Sequence, residues 1–158
     1  MLRKLPPWYV NNGKRLVKRP KVYIRDSGIL HNLLLINSEE ALSRHYLCGN
    51  SWEGFVIEQI AANLRFGFAL SFYRTTQGAE IDVVVSRGVQ VILAIEIKLT
   101  NKPTLSKGNR VALEDLGNPP LLFVSPTVED YQMEKNIWVC NIQTLDKNLK
   151  KFGVEKLV

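Results

Sequence analysis

Val91, Ile92, Leu93, Ala94 and Ile95 form an unbroken apolar run within the β-type stretch 89–99, and no other segment restricts the fold as strongly. Successive side chains of a strand point to opposite faces, so a run apolar at every position needs both faces covered. This predicts a strand in the middle of a sheet with a layer on each side. A chain of 158 residues is one domain by length, large enough to bury about two-thirds of the surface its unfolded form exposes.

Two other β-type runs, 69–75 and 80–86, precede this strand and predict an antiparallel meander of three. Before them, Val56, Ile57, Ile60, Ala61 and Leu64 recur at helical spacing, which predicts a helix over 51–65 that stops before Gly67. After them, Thr104 is expected to cap a helix over 104–116 with Leu105, Ala112, Leu113 and Leu116 on one side. Stretches 121–125 and 137–142 read as further strands, joined by a loop holding Pro126, Glu129 and Asp130. Upstream, 21–25 alternates Val22 and Ile24 with polar residues. Asp26 or Ser27 then caps a short helix through Leu34, and a second short helix is expected over 38–47. Residues 1–20, with Pro6, Pro7, Asn11, Asn12, Gly13 and Pro20, are expected to be an irregular arm ahead of a domain over 21–158. The element order predicts an α/β domain around a mixed central sheet flanked by helices.

The charge is unevenly placed. Of 21 basic and 15 acidic side chains, residues 1–25 hold Arg3, Lys4, Lys14, Arg15, Lys18, Arg19, Lys21 and Arg25 and no acid. The leader is +8, and the rest of the chain, with 13 basic against 15 acidic groups, is −2. A polyanion or an acidic protein surface is the partner such a leader suits; a solvated basic arm is the plainer reading. No apolar stretch is long enough to span a bilayer, and Met1 to Pro7 lacks the apolar core of a signal peptide. A cytoplasmic protein without membrane attachment is expected. Cys48 and Cys140 suit a reducing compartment, and no CxxC pair offers a zinc ribbon. No GxxxxGK[ST] phosphate loop occurs, so this chain alone is not expected to hydrolyse ATP. His45 and Cys48 are spaced for one helix face but have no second ligand pair, so a structural zinc is not expected.

The chemistry-bearing pattern is acidic. Strand alternation sets Glu80 and Asp82 on one face, opposite Ile81, Val83 and Val85, and sets Glu96 and Lys98 together just beyond the buried run. A charged pair there is costly unless partners or a metal compensate it. If Asp82 and Glu96 are cross-strand partners, they form a carboxylate pair suited to Mg²⁺ or Mn²⁺, with Lys98 beside it to orient or activate water at a phosphate. That pairing requires an odd-numbered turn centred on Val89, or a bulge. Glu53 lies on the stripe of Val56, Ile57 and Ile60 and points toward the sheet, whereas Glu58 is turned mostly toward solvent. The plainer readings are a capping box over residues 50–53 for Glu53, and a strand-end ion pair for Glu96 and Lys98.

A helical Glu, then Asp, then Glu-x-Lys on a hairpin resembles the signature of the PD-(D/E)XK nuclease superfamily, here Glu53, Asp82, Glu96 and Lys98, with Ile81 where proline is common. Residues 14–23 with Asp26-Ser27-Gly28, then 49–60, then Phe72-Tyr73-Arg74-Thr75 with Glu80-Ile81-Asp82, resemble the domain of unknown function at the carboxyl end of prokaryotic AAA-type ATPases. Glu58 also matches a glutamate of that family, which leaves two helical carboxylates in view. The resemblance implies a restriction-endonuclease-like core and Mg²⁺- or Mn²⁺-dependent phosphodiester hydrolysis on DNA. Asp82, Glu96 and Glu53 would hold the metal and Lys98 would assist; Lys14, Arg15, Lys18, Arg19 and Arg74 would contact nucleic acid. It also implies an ATPase module as neighbour, of which this chain would be the carboxyl-terminal part, and it admits a homo-oligomer. The rival expectation is a non-catalytic DNA- or protein-binding, or assembly, module of that ATPase.

Overall fold

A computed structural model describes residues 1–9, 13–126 and 129–155. Its centre is a six-stranded mixed sheet in the order β3-β4-β5-β6-β8-β7, formed by Ala69–Arg74, Glu80–Arg87, Gln90–Ile97, Leu121–Ser125, Ile137–Asn141 and Tyr131–Glu134 respectively. β3, β4 and β5 form the expected antiparallel meander, and β5, β6 and β8 run parallel. β5 carries the apolar run and lies inside the sheet. Leu93, Ile95 and Ile97 enter one core, with Val56, Ile57 and Ile60 of α3 (Cys48–Asn63) and Leu145 and Leu149 of α5 (Leu145–Lys151). Ala94 enters a second core on the other face, with Ala112 and Leu113 of α4 (Lys107–Asp115). Both faces are covered, as the apolar run 91–95 requires.

The arm departs from the irregular segment expected of it. Leu2–Leu5 is a strand, β1, paired antiparallel with β2 (Lys21–Ile24) in a separate two-stranded sheet, and Leu5 is buried in the first core. The shortness of the strand and the prolines that follow hide it in the sequence. Bridges from Pro7 to Phe72 and from Leu16 to Thr75 lay further arm residues on β3. Val10, Asn11 and Asn12 lie outside the described residues. α1 is Ser27–Leu33 with the Asp26 carboxylate accepting from the Ile29 N–H, and α2 is Glu39–Arg44.

Other boundaries also shift. Helix α3 begins at Cys48, so residues 50–53 lie inside it and form no capping box; His45 ends α2, so it shares no helix with Cys48. The capping box belongs to α4, where Ser106 and Asn109, and not Thr104, exchange hydrogen bonds. β7 and α5 are additions to the expected elements: β7 falls in what reads as loop, and α5 is only 7 residues long.

Candidate active site

Two irregularities aim the acidic residues. Arg87 pairs with Gln90 across the two-residue turn of Gly88 and Val89, Gly88 taking a left-handed φ of 59°, and the register then slips by one residue at Ile92. The bulge, and not an odd-numbered turn, therefore sets the pairing. Val83 opposite Ile95 is the last pair of this ladder, and Asp82 and Glu96, the residues that follow it on the two strands, line the same cleft. On the other side of β4, Ser71 pairs with Val84 but Tyr73 with Ile81, so β4 carries one extra residue beside Phe72. Ile81 consequently joins Val84 in the second core while Val83 and Val85 stay in the first, which corrects the shared face expected for all three.

A cleft of about 590 Å³ opens at this end of the sheet, with Lys21, Tyr23, Glu53, Arg74, Glu80, Asp82, Glu96 and Lys98 among its lining. Glu96 is 4% exposed; its Oε1 accepts from Lys98 Nζ at 2.7 Å, and its Oε2 is buried without a hydrogen-bond donor. Asp82 Oδ2 accepts from the Ile97 N–H at 3.0 Å. Burial, then the nearby charges of Glu96 and Glu53, push the Asp82 carboxyl up to about 7, against the pull of Lys21. Lys98 is held above its ordinary value: burial opposes its charge, but Glu96 outweighs it.

Lys21 and Tyr23 are the residues sequence reasoning missed. Lys21 Nζ lies 2.9 Å from Glu53, 3.1 Å from Glu80 and 3.4 Å from Asp82, and the Tyr23 hydroxyl donates to Glu53 Oε1 at 2.5 Å. Burial lowers the lysine's affinity for its proton, but Asp82, Glu53 and Glu80 together raise it well above the usual range; burial and Glu53 likewise push the Tyr23 hydroxyl far up. The signal is the alternation of β2, which turns Lys21 and Tyr23 one way and Val22, 53% exposed, the other. Gly54 gives the Tyr23 ring its room, since a Cβ there would meet Tyr23 Cδ1 at 3.2 Å. At the far wall, the Asn109 side-chain amide donates to the Glu80 carbonyl at 3.1 Å and fixes the start of α4 against β4.

Of the expected site residues, Asp82, Glu96, Lys98, Glu53 and Arg74 come together, Arg74 reaching Glu80 at 3.6 Å. Glu58 does not. It is covered rather than turned to solvent, accepting from Arg3 at 2.5 Å and Arg25 at 2.9 Å, and the Arg3 hydrogen bond holds its carboxyl below the usual range. Lys14 is bound to Asp115 of α4 at 2.6 Å, whereas Arg15, Lys18 and Arg19 are at least partly exposed and form no ion pair among the described residues. As the side chains stand, no three His, Cys, Asp or Glu of the described residues are grouped tightly enough to hold a metal ion. The donor chemistry nevertheless fits a hard cation at Asp82 and Glu96, because a buried carboxylate oxygen without a partner sits beside a second carboxylate that resists ionisation.

These features define a mixed α/β domain with an acidic cleft containing two lysines. Residues 48–145 match the family described as a domain of unknown function, DUF4143, and residues 1–40 match a second domain of unknown function, DUF8612. The chain belongs to the DUF4143 family, whose domains are frequently found on the carboxyl side of AAA-type ATPases. It is similar to the uncharacterized proteins Rv2008c of Mycobacterium tuberculosis and Mb2031c of Mycobacterium bovis, each 45% identical over 126 residues. The match covers 80% of this chain and 28% of each relative. No solved structure matches the chain. No helix among the described residues is long and apolar enough to cross a membrane.

Proposed function

We propose that the domain is a PD-(D/E)XK-type nuclease module that hydrolyses phosphodiester bonds in DNA with Mg²⁺ or Mn²⁺. The observation that carries this reading is the unpartnered, buried Oε2 of Glu96, in the same cleft as Asp82 and beside Lys98. Asp82 and Glu96 would hold the metal and Glu53 would complete its shell. Bound there, a divalent ion supplies Lewis acidity to a phosphate and lowers the pKa of water. Lys98 sets a positive charge where negative charge builds on the phosphate in the transition state. Asp82, held by the Ile97 N–H, keeps a fixed position against Glu96. Calorimetric titration with Mn²⁺ tests the reading: saturable binding that disappears in Glu96→Ala is expected. Binding that survives this substitution would place the metal elsewhere.

The rival reading, a non-catalytic module, draws on the ion pairs themselves, since Lys21 and Lys98 already neutralise much of the acidic cluster. Its partners would be DNA or an ATPase module on the same polypeptide or associated with it.

For DNA contact, Arg15, Lys18 and Arg19 are the groups to test, with Lys14 set aside because Asp115 holds it. Each phosphate contact releases condensed counterions, so the triple alanine variant should flatten the slope of log affinity against log salt by about 0.9 for every phosphate it no longer neutralises on duplex DNA. Such contacts position a duplex without reading its bases. Fluorescence anisotropy between low and moderate salt would measure it. A variant with the parent's affinity and slope would reject the phosphate role and leave docking against an acidic protein surface as the use of this segment.

A further inference from the structure

We propose that Lys21 is a resident cation of the cleft, one that must release its carboxylates before a divalent metal can bind, and that β2 is therefore the gate of the site. The inference rests on the metal-site reading of Asp82 and Glu96 and adds a residue and a regulation to it.

The geometry is that of one cation serving several anions. An ammonium has three donors and no acceptor, and the Lys21 Nζ faces three carboxylates, at 2.9, 3.1 and 3.4 Å, from two different elements, Glu53 on α3 and Glu80 and Asp82 on β4. Two of them, Glu53 and Asp82, are the groups a metal would need. Tyr23, two residues along the same strand, donates to the very oxygen of Glu53 that Lys21 holds, which keeps that carboxylate turned toward β2. Glu96 lies in the same cleft with one oxygen on Lys98 and the other, buried, on nothing. The cleft thus contains a carboxylate that Lys21 does not satisfy beside carboxylates that it does, and a divalent ion at Glu96 and Asp82 would compete directly with the ammonium for Asp82.

β2 is suited to move. β2 takes its ladder bonds from β1 alone, so its displacement breaks no ladder within the central sheet, although backbone bonds of Pro6, Trp8, Arg15 and Val17 tie the segment between β1 and β2 to β3 and the turn after it. Apart from the bonds of Lys21 and Tyr23 to Glu53, what fastens this small sheet to α3 is Glu58, which takes Arg3 from β1 and Arg25 from just past the end of β2. Glu58, excluded from the cleft, thus acquires a role as the latch that seats Lys21.

The test is Mn²⁺ binding by calorimetry and by the electron paramagnetic resonance of the free ion, on the parent chain, Lys21→Met and Lys21→Arg. Removing a positive charge within a few ångströms of the metal is expected to tighten binding about tenfold or more in Lys21→Met. Lys21→Arg, which keeps the charge, should bind like the parent or more weakly. Without metal, Lys21→Met should melt at lower temperature than the parent, because three carboxylates lose their counter-charge, and Mn²⁺ should raise its melting temperature more than it raises the parent's. If Lys21→Met needs Mn²⁺ to fold, that rescue supports the inference; failure to fold with Mn²⁺, repeated in Lys21→Gln, overturns it. Parent and Lys21→Met binding Mn²⁺ equally would overturn the gate and leave the metal site standing. No Mn²⁺ binding by either would overturn both.

Discussion

Replacing Glu96 by alanine is expected to reduce metal-dependent DNA cleavage by at least about 10²–10³-fold, with Asp82→Ala and Lys98→Ala as severe and Glu53→Ala milder. The size follows from position: Glu96 and Asp82 are the two carboxylates that follow the last paired residues of the hairpin into the cleft, and Lys98 is the cation bonded to one of them. Glu53 has Lys21 and Tyr23 as partners, and neither of them bonds Glu96, so its loss should weaken cleavage without abolishing it. Unfolding is a poor explanation for such a loss in Glu96→Ala. The substitution removes a buried oxygen that has no donor, and the Lys98 ammonium, 38% exposed, can turn to water. Cleavage assays on linear, nicked, single-stranded and supercoiled DNA, with melting curves as the control on folding, measure the effect. Cleavage that survives all of the first three substitutions would point to a contaminant or another site. A parent chain that cuts no DNA form and binds no metal would favour the ion-pair reading.

The part of the fold that is legible in the sequence is the part governed by unmistakable periodicity. The run 91–95 of β5 is apolar on both faces and could only be internal, and α3 carries a stripe of Val56, Ile57 and Ile60 that is wholly buried. Glu96 and Lys98 follow from alternation along β5 and just past its end, Asp82 from alternation along β4, and Glu53 from the stripe of α3. What stays hidden depends on tertiary pairing. β1 is four residues beside prolines and becomes a strand only because β2 supplies its ladder, across 15 residues of chain between them. β7 is an edge strand with one partner, and α5 is too short to show a period. The bulge that turns Ile81 into the second core leaves no residue signature, because Ile81, Asp82 and Val83 are ordinary strand residues. In the sequence Lys21 is one charge of a basic leader, and only the fold reveals that this charge is spent inward on three carboxylates. The leader is therefore divided: Arg3, Arg25, Lys14 and Lys21 answer acids of the domain itself, and Lys4, Arg15, Lys18 and Arg19, exposed and without an ion pair among the described residues, remain for others.

The metal-free protein should lose stability as pH rises from about 4 to about 7, and Asp82→Asn should remove that loss. An aspartate titrates near 3.9 in an unfolded chain, and burial with Glu96 and Glu53 nearby lifts Asp82 to about 7 in the folded one. Between those values the folded chain keeps a proton that the unfolded chain gives up, so unfolding becomes progressively easier with rising pH. Above pH 7 the whole cost is present. At about 1.4 kcal/mol per pKa unit, it is on the order of 2–4 kcal/mol. Glu58 and Asp130, both held below their ordinary range, act in the opposite sense: the stability they contribute is complete above about pH 4.5 and is lost on acidification. The difference between parent and Asp82→Asn isolates the site from them. Asparagine keeps an oxygen for the Ile97 N–H and removes only the charge, so denaturant unfolding at pH 5 and pH 8 should give the variant its advantage at pH 8. Mn²⁺ adds a second arm to the same measurement. A bound divalent cation favours the ionised carboxylate, so saturating metal should restore the parent's stability at pH 8 and leave Asp82→Asn nearly unchanged. Equal pH dependence in parent and variant would show that Asp82 is ionised throughout, satisfied by Lys21 alone, and with that the reason for a metal at this carboxylate pair would be gone.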